Sequence, residues 1–211
     1  MKPLRVAFVG TSGTGKSTLS RFVSDRMGIP HIEEQARVVS SDMGTTLRDM
    51  RYRDPYLFQR RVLEYQFQRE KDLSGSGFIS DRSVFDPLVY LMRFTDPTPM
   101  LVSQYKAIIF RYYSNHPYTH IFYLRPGEFD PPDDGVRSTD RLYRYQVDGM
   151  FLMLLNSYSI PYRVITGTIE DRYEKVARII EESREPDVRS LFDNQSIRDE
   201  EYYKKYAPRW D

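Results

Sequence analysis

Apolar residues in this chain fall into short β-rich runs, separated by longer stretches in which they recur every three or four positions. The run Leu4–Gly10 (LRVAFVG) ends in glycine and predicts a buried strand. Leu19, Phe22, Val23 and Met27 then predict a helix over Ser17–Met27, stopped by Gly28-Ile29-Pro30. His31-Ile32 reads as a short second strand, with Glu33–Val39 continuing from it. Asp54-Pro55 has the form of a helix start, and Leu57, Arg61, Leu63, Phe67 and Leu73 sustain that helix to Ser74–Gly77. Phe78–Ser80 is a third strand, followed by helices over Ser83–Phe94 and Leu101–Tyr113 with a proline turn between them. His120–Leu124 and Tyr162–Ile165 complete five strands, and helices are expected over Arg141–Tyr158 and Glu170–Arg184. Short strands alternating with long helices predict an α/β fold, a parallel sheet covered on both faces.

Composition narrows the setting. The 211 residues carry 31 Lys+Arg against 30 Asp+Glu, a net charge of +1. That balance argues against a chain whose main work is coating nucleic acid or anionic membrane. Zero cysteines exclude disulfides, thiolate metal sites and thiol nucleophiles. Apolar runs such as Val6–Val9 and Met150–Leu155 are too short to span a bilayer, and the N-terminus lacks an apolar stretch of signal-peptide length. A cytoplasmic protein is expected, with a domain over residues 1–186 and a tail over 187–211. The tail mixes both charge signs with Tyr202, Tyr203, Tyr206 and Trp210, and it reads equally as a docked helix or a partly ordered extension.

The chemistry is concentrated in Gly10-Thr11-Ser12-Gly13-Thr14-Gly15-Lys16-Ser17-Thr18, which fits G-x-x-x-x-G-K-[ST] between an expected strand and an expected helix. Glycines let successive backbone N–H groups wrap a phosphate, and the helix N-terminus adds a favourable dipole. Thr11, Gly13, Thr14, Gly15, Lys16, Ser17 and Thr18 are therefore candidate ATP contacts, with Lys16 reaching the β- and γ-phosphates and Ser17 ligating Mg²⁺. No N-K-x-D base-reading motif accompanies it, and the strand that would carry a Walker B Asp-Glu reads Phe78-Ile79-Ser80-Asp81-Arg82-Ser83. Asp81 at a strand end suits the Mg²⁺ shell, and Arg82 suits a phosphate or reacting oxygen, a pairing that fits a small-molecule kinase better than a hydrolase. Asp81 as the N-cap of the following helix is the competing reading.

On these motifs the chain resembles the P-loop nucleoside and nucleotide kinase superfamily. Within it the resemblance is to the small NadR-like ATPase/kinase family, which includes bacterial ribosylnicotinamide kinases and many phage-encoded proteins. The matching pieces are residues 10–18, Glu34-Gln35-Ala36-Arg37, Phe58-Gln59 with Gln66 and Glu70, Asp81-Arg82-Ser83, Tyr123-Leu124-Arg125, Asp133–Ser138 and Ile160–Gly167. The resemblance covers roughly residues 4–182 and implies a P-loop NTPase three-layer sandwich with a five-stranded parallel sheet. It also implies a lid, about 126–141, whose Arg137 and Arg141 would neutralise charge on the γ-phosphoryl. Kinases of nucleosides and of polynucleotide hydroxyls place an acid after the second strand, which makes Glu34 the candidate base and Arg37 an acceptor or transition-state contact. Glu33 competes with Glu34, because the register is open by one residue.

Gln59, with Tyr56, Phe58 and Tyr90, is a candidate acceptor pocket, since an amide reads a base edge while a ring stacks on its face. Thr168, just after the fifth strand, is placed near adenine by position alone. The leading expectation is an ATP- and Mg²⁺-dependent kinase with catalytic residues Lys16, Glu34, Asp81, Arg82 and Arg137. Its acceptor would be a deoxynucleoside, a deoxynucleoside monophosphate or ribosylnicotinamide. A hydroxyl of DNA or RNA and a nucleotide-dependent regulatory ATPase are the alternatives. The resemblance also makes a homo-oligomer reasonable.

Overall fold

The computed structural model describes residues 3–44, 54–94, 99–127 and 141–184. Five strands form one sheet in the order β2-β3-β1-β4-β5, where β1 is Arg5–Val9, β2 His31–Ile32, β3 Phe78–Asp81, β4 His120–Tyr123 and β5 Arg163–Val164. Every pairing is parallel. The helices are α1 (Lys16–Met27), α2 (Gln35–Asp42), α3 (Pro55–Asp72), α4 (Asp86–Phe94), α5 (Pro99–Asn115), α6 (Arg141–Ser157) and α7 (Ile169–Arg184). The expected α/β architecture is therefore present. The boundaries agree with the sequence pattern to within a few residues, the largest difference being α4, which starts at Asp86 rather than Ser83.

The central strand explains why its sequence is apolar without alternation. All five β1 residues are buried, because helices cover both faces of the sheet. Ala7, Val9, Ile121 and Tyr123 share one apolar cluster with Leu88, Val147 and Phe151. The alternate residues Val6, Phe8 and Phe122 are buried as well. Since β3 and β4 flank β1 on opposite sides, the chain reverses direction of travel across the sheet at β1, and its C-terminal edge opens a crevice there.

Helix α3 places Gln59, Gln66 and Glu70 against the sheet. Asp54 caps it, accepting from the Leu57 N–H at 2.9 Å, with Pro55 in the first turn. Its buried stripe runs Gln59, Val62, Leu63, Gln66 and Glu70. Gln66 donates to Ser80 on β3 at 3.0 Å, and Glu70 receives Arg5 of β1 at 2.8 Å. The helix thus runs against the strands, and Gln59 lies about 10 Å beyond Gln66 toward the crevice edge, at 1.5 Å rise per residue.

Glu70 is fully buried and takes hydrogen bonds from Arg5, Gln66, Tyr112 and Tyr118. Burial pushes its carboxyl up, against the pull of those donors. One compact unit spans Met1–Ala177; of the second, Arg178–Asp211, the structure describes only the end of α7. No helix among the described residues is long and apolar enough to cross a membrane. Glu70→Ala strands a buried guanidinium and two tyrosine hydroxyls, so urea unfolding is expected to show a loss of about 3–5 kcal/mol. A loss near zero would mean that these donors find other partners.

Candidate functional site

The phosphate loop is built on backbone that side chains disfavour. Gly13 and Gly15 adopt φ of 72° and 86°, and Gly15 forms the N-cap of α1 without a side-chain cap. Gly10, at φ 133°, lies where a Cβ would come within 2.2 Å of the Leu124 carbonyl oxygen, so β4 closes tightly behind the loop. Lys16 is buried at the start of α1, its Nζ donating to the Thr11 carbonyl and, at 3.3 Å, to the Thr14 hydroxyl. Burial and the nearby Arg82 lower its pKa to about 7, against the pull of Asp81, Asp86 and Glu34.

Asp81 ends β3, where burial and the nearby Glu34 raise its carboxyl pKa. It does not cap the next helix: Asp86 accepts from the Ser83 N–H and hydroxyl, both at 2.8 Å, and starts α4 itself. Ser17 lies close enough to the Asp81 side chain to pull its carboxyl down against burial, and Asp81 Oδ1 is buried with no hydrogen-bond partner. An orphaned carboxylate oxygen beside a hydroxyl at the phosphate loop fits a divalent cation. The described residues contain no cluster of three or more His, Cys, Asp or Glu suited to a metal. Phosphate and water oxygens would have to complete its shell, as Mg²⁺ tolerates.

Arg82 stands at the centre of the charged cluster beside the phosphate loop. Its φ is 105°, a left-handed conformation costing a non-glycine residue about 1–3 kcal/mol. The surroundings hold it there. Its N–H donates to the Phe8 carbonyl at 3.1 Å. Its guanidinium meets Glu34 Oε1 at 2.8 and 2.9 Å, Asp86 Oδ1 at 2.9 Å and the Gly10 carbonyl at 3.3 Å. The Tyr90 hydroxyl lies 3.2 Å from the same nitrogen, and the Tyr90 ring centroid 5.2 Å from its Cζ.

Glu34 occupies the N-cap position of α2 but makes no cap hydrogen bond; its carboxylate turns inward to Arg82 and takes Arg37 Nε at 3.1 Å. Glu34 is buried and Glu33 exposed. Burial would raise the Glu34 carboxyl, but Arg82, Lys16 and Arg37 outweigh it and bring it down to about 2. The structure thus gathers Lys16, Ser17, Glu34, Arg37, Asp81 and Arg82 at one edge.

The other candidates lie further out or take other partners. Gln59 is buried on the α3 stripe, and Arg141 is exposed at the start of α6. The Thr168 hydroxyl is engaged with Asp171 at 2.9 Å, a cap for α7. Arg137, most of the expected lid and the tail 187–211 lie outside the described residues.

Sequence reasoning missed Asp86 and Arg172. Asp86 carried a signal, since Ser83-x-x-Asp86 has capping-box spacing and Arg82 is four residues before it. Arg172 carried none, because the Thr14 carbonyl that it reaches at 3.0 Å is 158 residues away.

Fold and loop together are of the P-loop kinase-like class. Residues 5–172 match the AAA domain family, and the chain belongs to it. No curated protein matches the chain. Among solved structures, the NadR protein in complex with NR superposes with a TM-score of 0.67 at 16% identity, over 85% of this chain and 51% of that one. The chain therefore spans about half the length of that NadR chain. Deoxyadenosine kinase from M. mycoides, with dCMP and dCDP bound, gives 0.61 at 16% identity, over 85% of this chain and 100% of that one. Shikimate kinase from Acinetobacter baumannii, in complex with shikimate, gives 0.55 at 13% identity, over 87% and 96%.

The lowered pKa of Lys16 makes its burial a cost to the folded protein. The unfolded chain holds that proton up to about pH 10.5, whereas the folded chain releases it near pH 7. Lys16→Met should raise the melting temperature, most at pH below 7. The gain should shrink by about 1.4 kcal/mol per pH unit above that. A gain that does not vary with pH would contradict the assignment.

Proposed function

We propose that this chain is an ATP- and Mg²⁺-dependent phosphotransferase that moves the γ-phosphoryl group to a hydroxyl of a nucleoside- or nucleotide-type acceptor. The observation that carries the reading is the inward-turned Glu34 carboxylate, clasped by Arg82 at the edge of the phosphate loop. Loop N–H groups over residues 11–18 bind the triphosphate, and Lys16, drawn from the Thr11 carbonyl, takes the β- and γ-oxygens. Ser17 and Asp81 would hold Mg²⁺, which when bound neutralises charge on the β- and γ-phosphate oxygens.

Glu34 orients the acceptor hydroxyl and receives its proton. With a pKa of about 2 it is an obligate hydrogen-bond acceptor at neutral pH rather than a strong base. That suffices where the transition state is loose, since the oxygen needs alignment more than early deprotonation. Arg82 and Arg37, already beside Glu34, lie within reach of the incoming phosphoryl group. Gln59 and Tyr90 bound the acceptor's remaining surface, Gln59 offering an amide to a base edge. Arg141, at the start of α6, offers a further guanidinium to the nucleotide phosphates. The ligands bound in the solved structures, NR in one and deoxynucleotides in another, support the acceptor class.

The test is an acceptor panel with ATP and Mg²⁺, read by mass: nucleosides, deoxynucleoside monophosphates, nicotinamide riboside and oligonucleotides. One nucleoside or nucleotide should gain the mass of a phosphoryl group. Glu34→Gln should lower kcat on that acceptor by about 10²–10³-fold while leaving ATP affinity unchanged. Hydrolysis of ATP with transfer to none of them would overturn the proposal.

A further inference from the structure

Arg172 lies in the first turn of α7 and is buried to 3% exposure, yet none of the site chemistry above uses it. Its Nε donates to the Gly167 carbonyl at 2.8 Å and a terminal nitrogen donates to the Thr14 carbonyl at 3.0 Å. Thr14 sits between Gly13 and Gly15, both at positive φ in the phosphate loop. Where N–H groups converge on an anion, the carbonyls of the same peptides face outward, and a buried one needs a donor behind it. Arg172 supplies that donor for Thr14.

The second carbonyl belongs to a different part of the crevice edge. β4 and β5 leave the sheet together there, with the Ile165 N–H donating to the Tyr123 carbonyl at 3.0 Å. The chain then turns through Gly167, at φ 112°, and Thr168 caps α7 through Asp171. One planar guanidinium therefore fixes the distance between the phosphate loop and the Gly167–Thr168 turn.

Resting on the nucleotide reading given above, we propose that Arg172 is a positioning residue that couples the two halves of the nucleotide site. It sets the phosphate loop and the Gly167–Thr168 turn at the separation spanned by the triphosphate and the base of a nucleoside triphosphate. Neither half depends on Arg172 to exist, but their simultaneous engagement does. A brace that merely stabilised the fold would not distinguish a ligand touching both halves from one touching a single half.

The experiment compares dissociation constants for ATP and for inorganic tripolyphosphate in the wild type, Arg172→Lys and Arg172→Gln. Melting temperatures are measured alongside. In Arg172→Gln, ATP binding should weaken by about tenfold or more, while tripolyphosphate binding changes by less than about threefold. KM for ATP should rise with kcat little altered. Arg172→Lys, whose single ammonium can serve one carbonyl at a time, should fall between, and it carries the comparison if the glutamine variant does not fold. Equal losses for both ligands, or no loss for ATP in either variant, would overturn the coupling role. Failure of the wild type to bind ATP would instead overturn the nucleotide reading itself.

Discussion

One guanidinium, that of Arg82, ties together three segments that meet nowhere else in the sequence. It joins Glu34 before α2, Asp86 at the start of α4 and the Gly10 carbonyl at the mouth of the phosphate loop. The cost of its φ of 105° and of burying its charge is offset by two carboxylates and a carbonyl whose own burial would otherwise be unfavourable. Glu34 stays ionised because Arg82 is there, and burial together with the nearby Arg82 lowers the proton affinity of Lys16. The charge state of the site thus depends in part on where this one side chain sits.

That position depends in turn on the parallel sheet. With every strand pointing one way and β1 at the centre, the ends of β1, β2 and β3 converge and bring the phosphate loop, Glu34, and Asp81 with Arg82 to one edge. α3 runs back against them and brings Gln59 to the same edge, anchored below by Gln66 on Ser80 and Glu70 on Arg5. Arg172 holds the Thr14 carbonyl of the phosphate loop as Asp86 holds the Arg82 guanidinium. Both are buried charged groups that touch no reacting atom in the proposed chemistry and hold in place those that do.

Much of this was legible in the residues, because local physics dictated it. Gly-x-x-x-x-Gly-Lys-Ser at the end of an apolar run admits few structures, and the alternation of strands and helices foretold the sheet. Asp54-Pro55 marked the start of α3 to the residue. Whether Glu33 or Glu34 faces the crevice was not legible, because β2 is two residues long and offers no alternation to fix a register. Geometry resolves it through Arg82, a contact 48 residues away in sequence. The start of α4 was misplaced by three residues for a related reason: Ser83–Phe85 form the turn whose Asp86 grips Arg82, and no propensity scale encodes that tertiary demand. Arg172 was invisible because the contacts it makes to Gly167 and Thr14 are to backbone carbonyls.

The most direct test of this picture is amide hydrogen exchange with a non-hydrolysable ATP analogue, then with the analogue plus the unphosphorylated acceptor that the panel identifies. The analogue alone should slow exchange over residues 10–18 and 165–172. Adding the acceptor should extend protection to residues 33–37 and the first turns of α3. Protection confined to other segments, or acceptor binding that leaves residues 33–37 unchanged, would contradict the assignment of the two halves of the crevice.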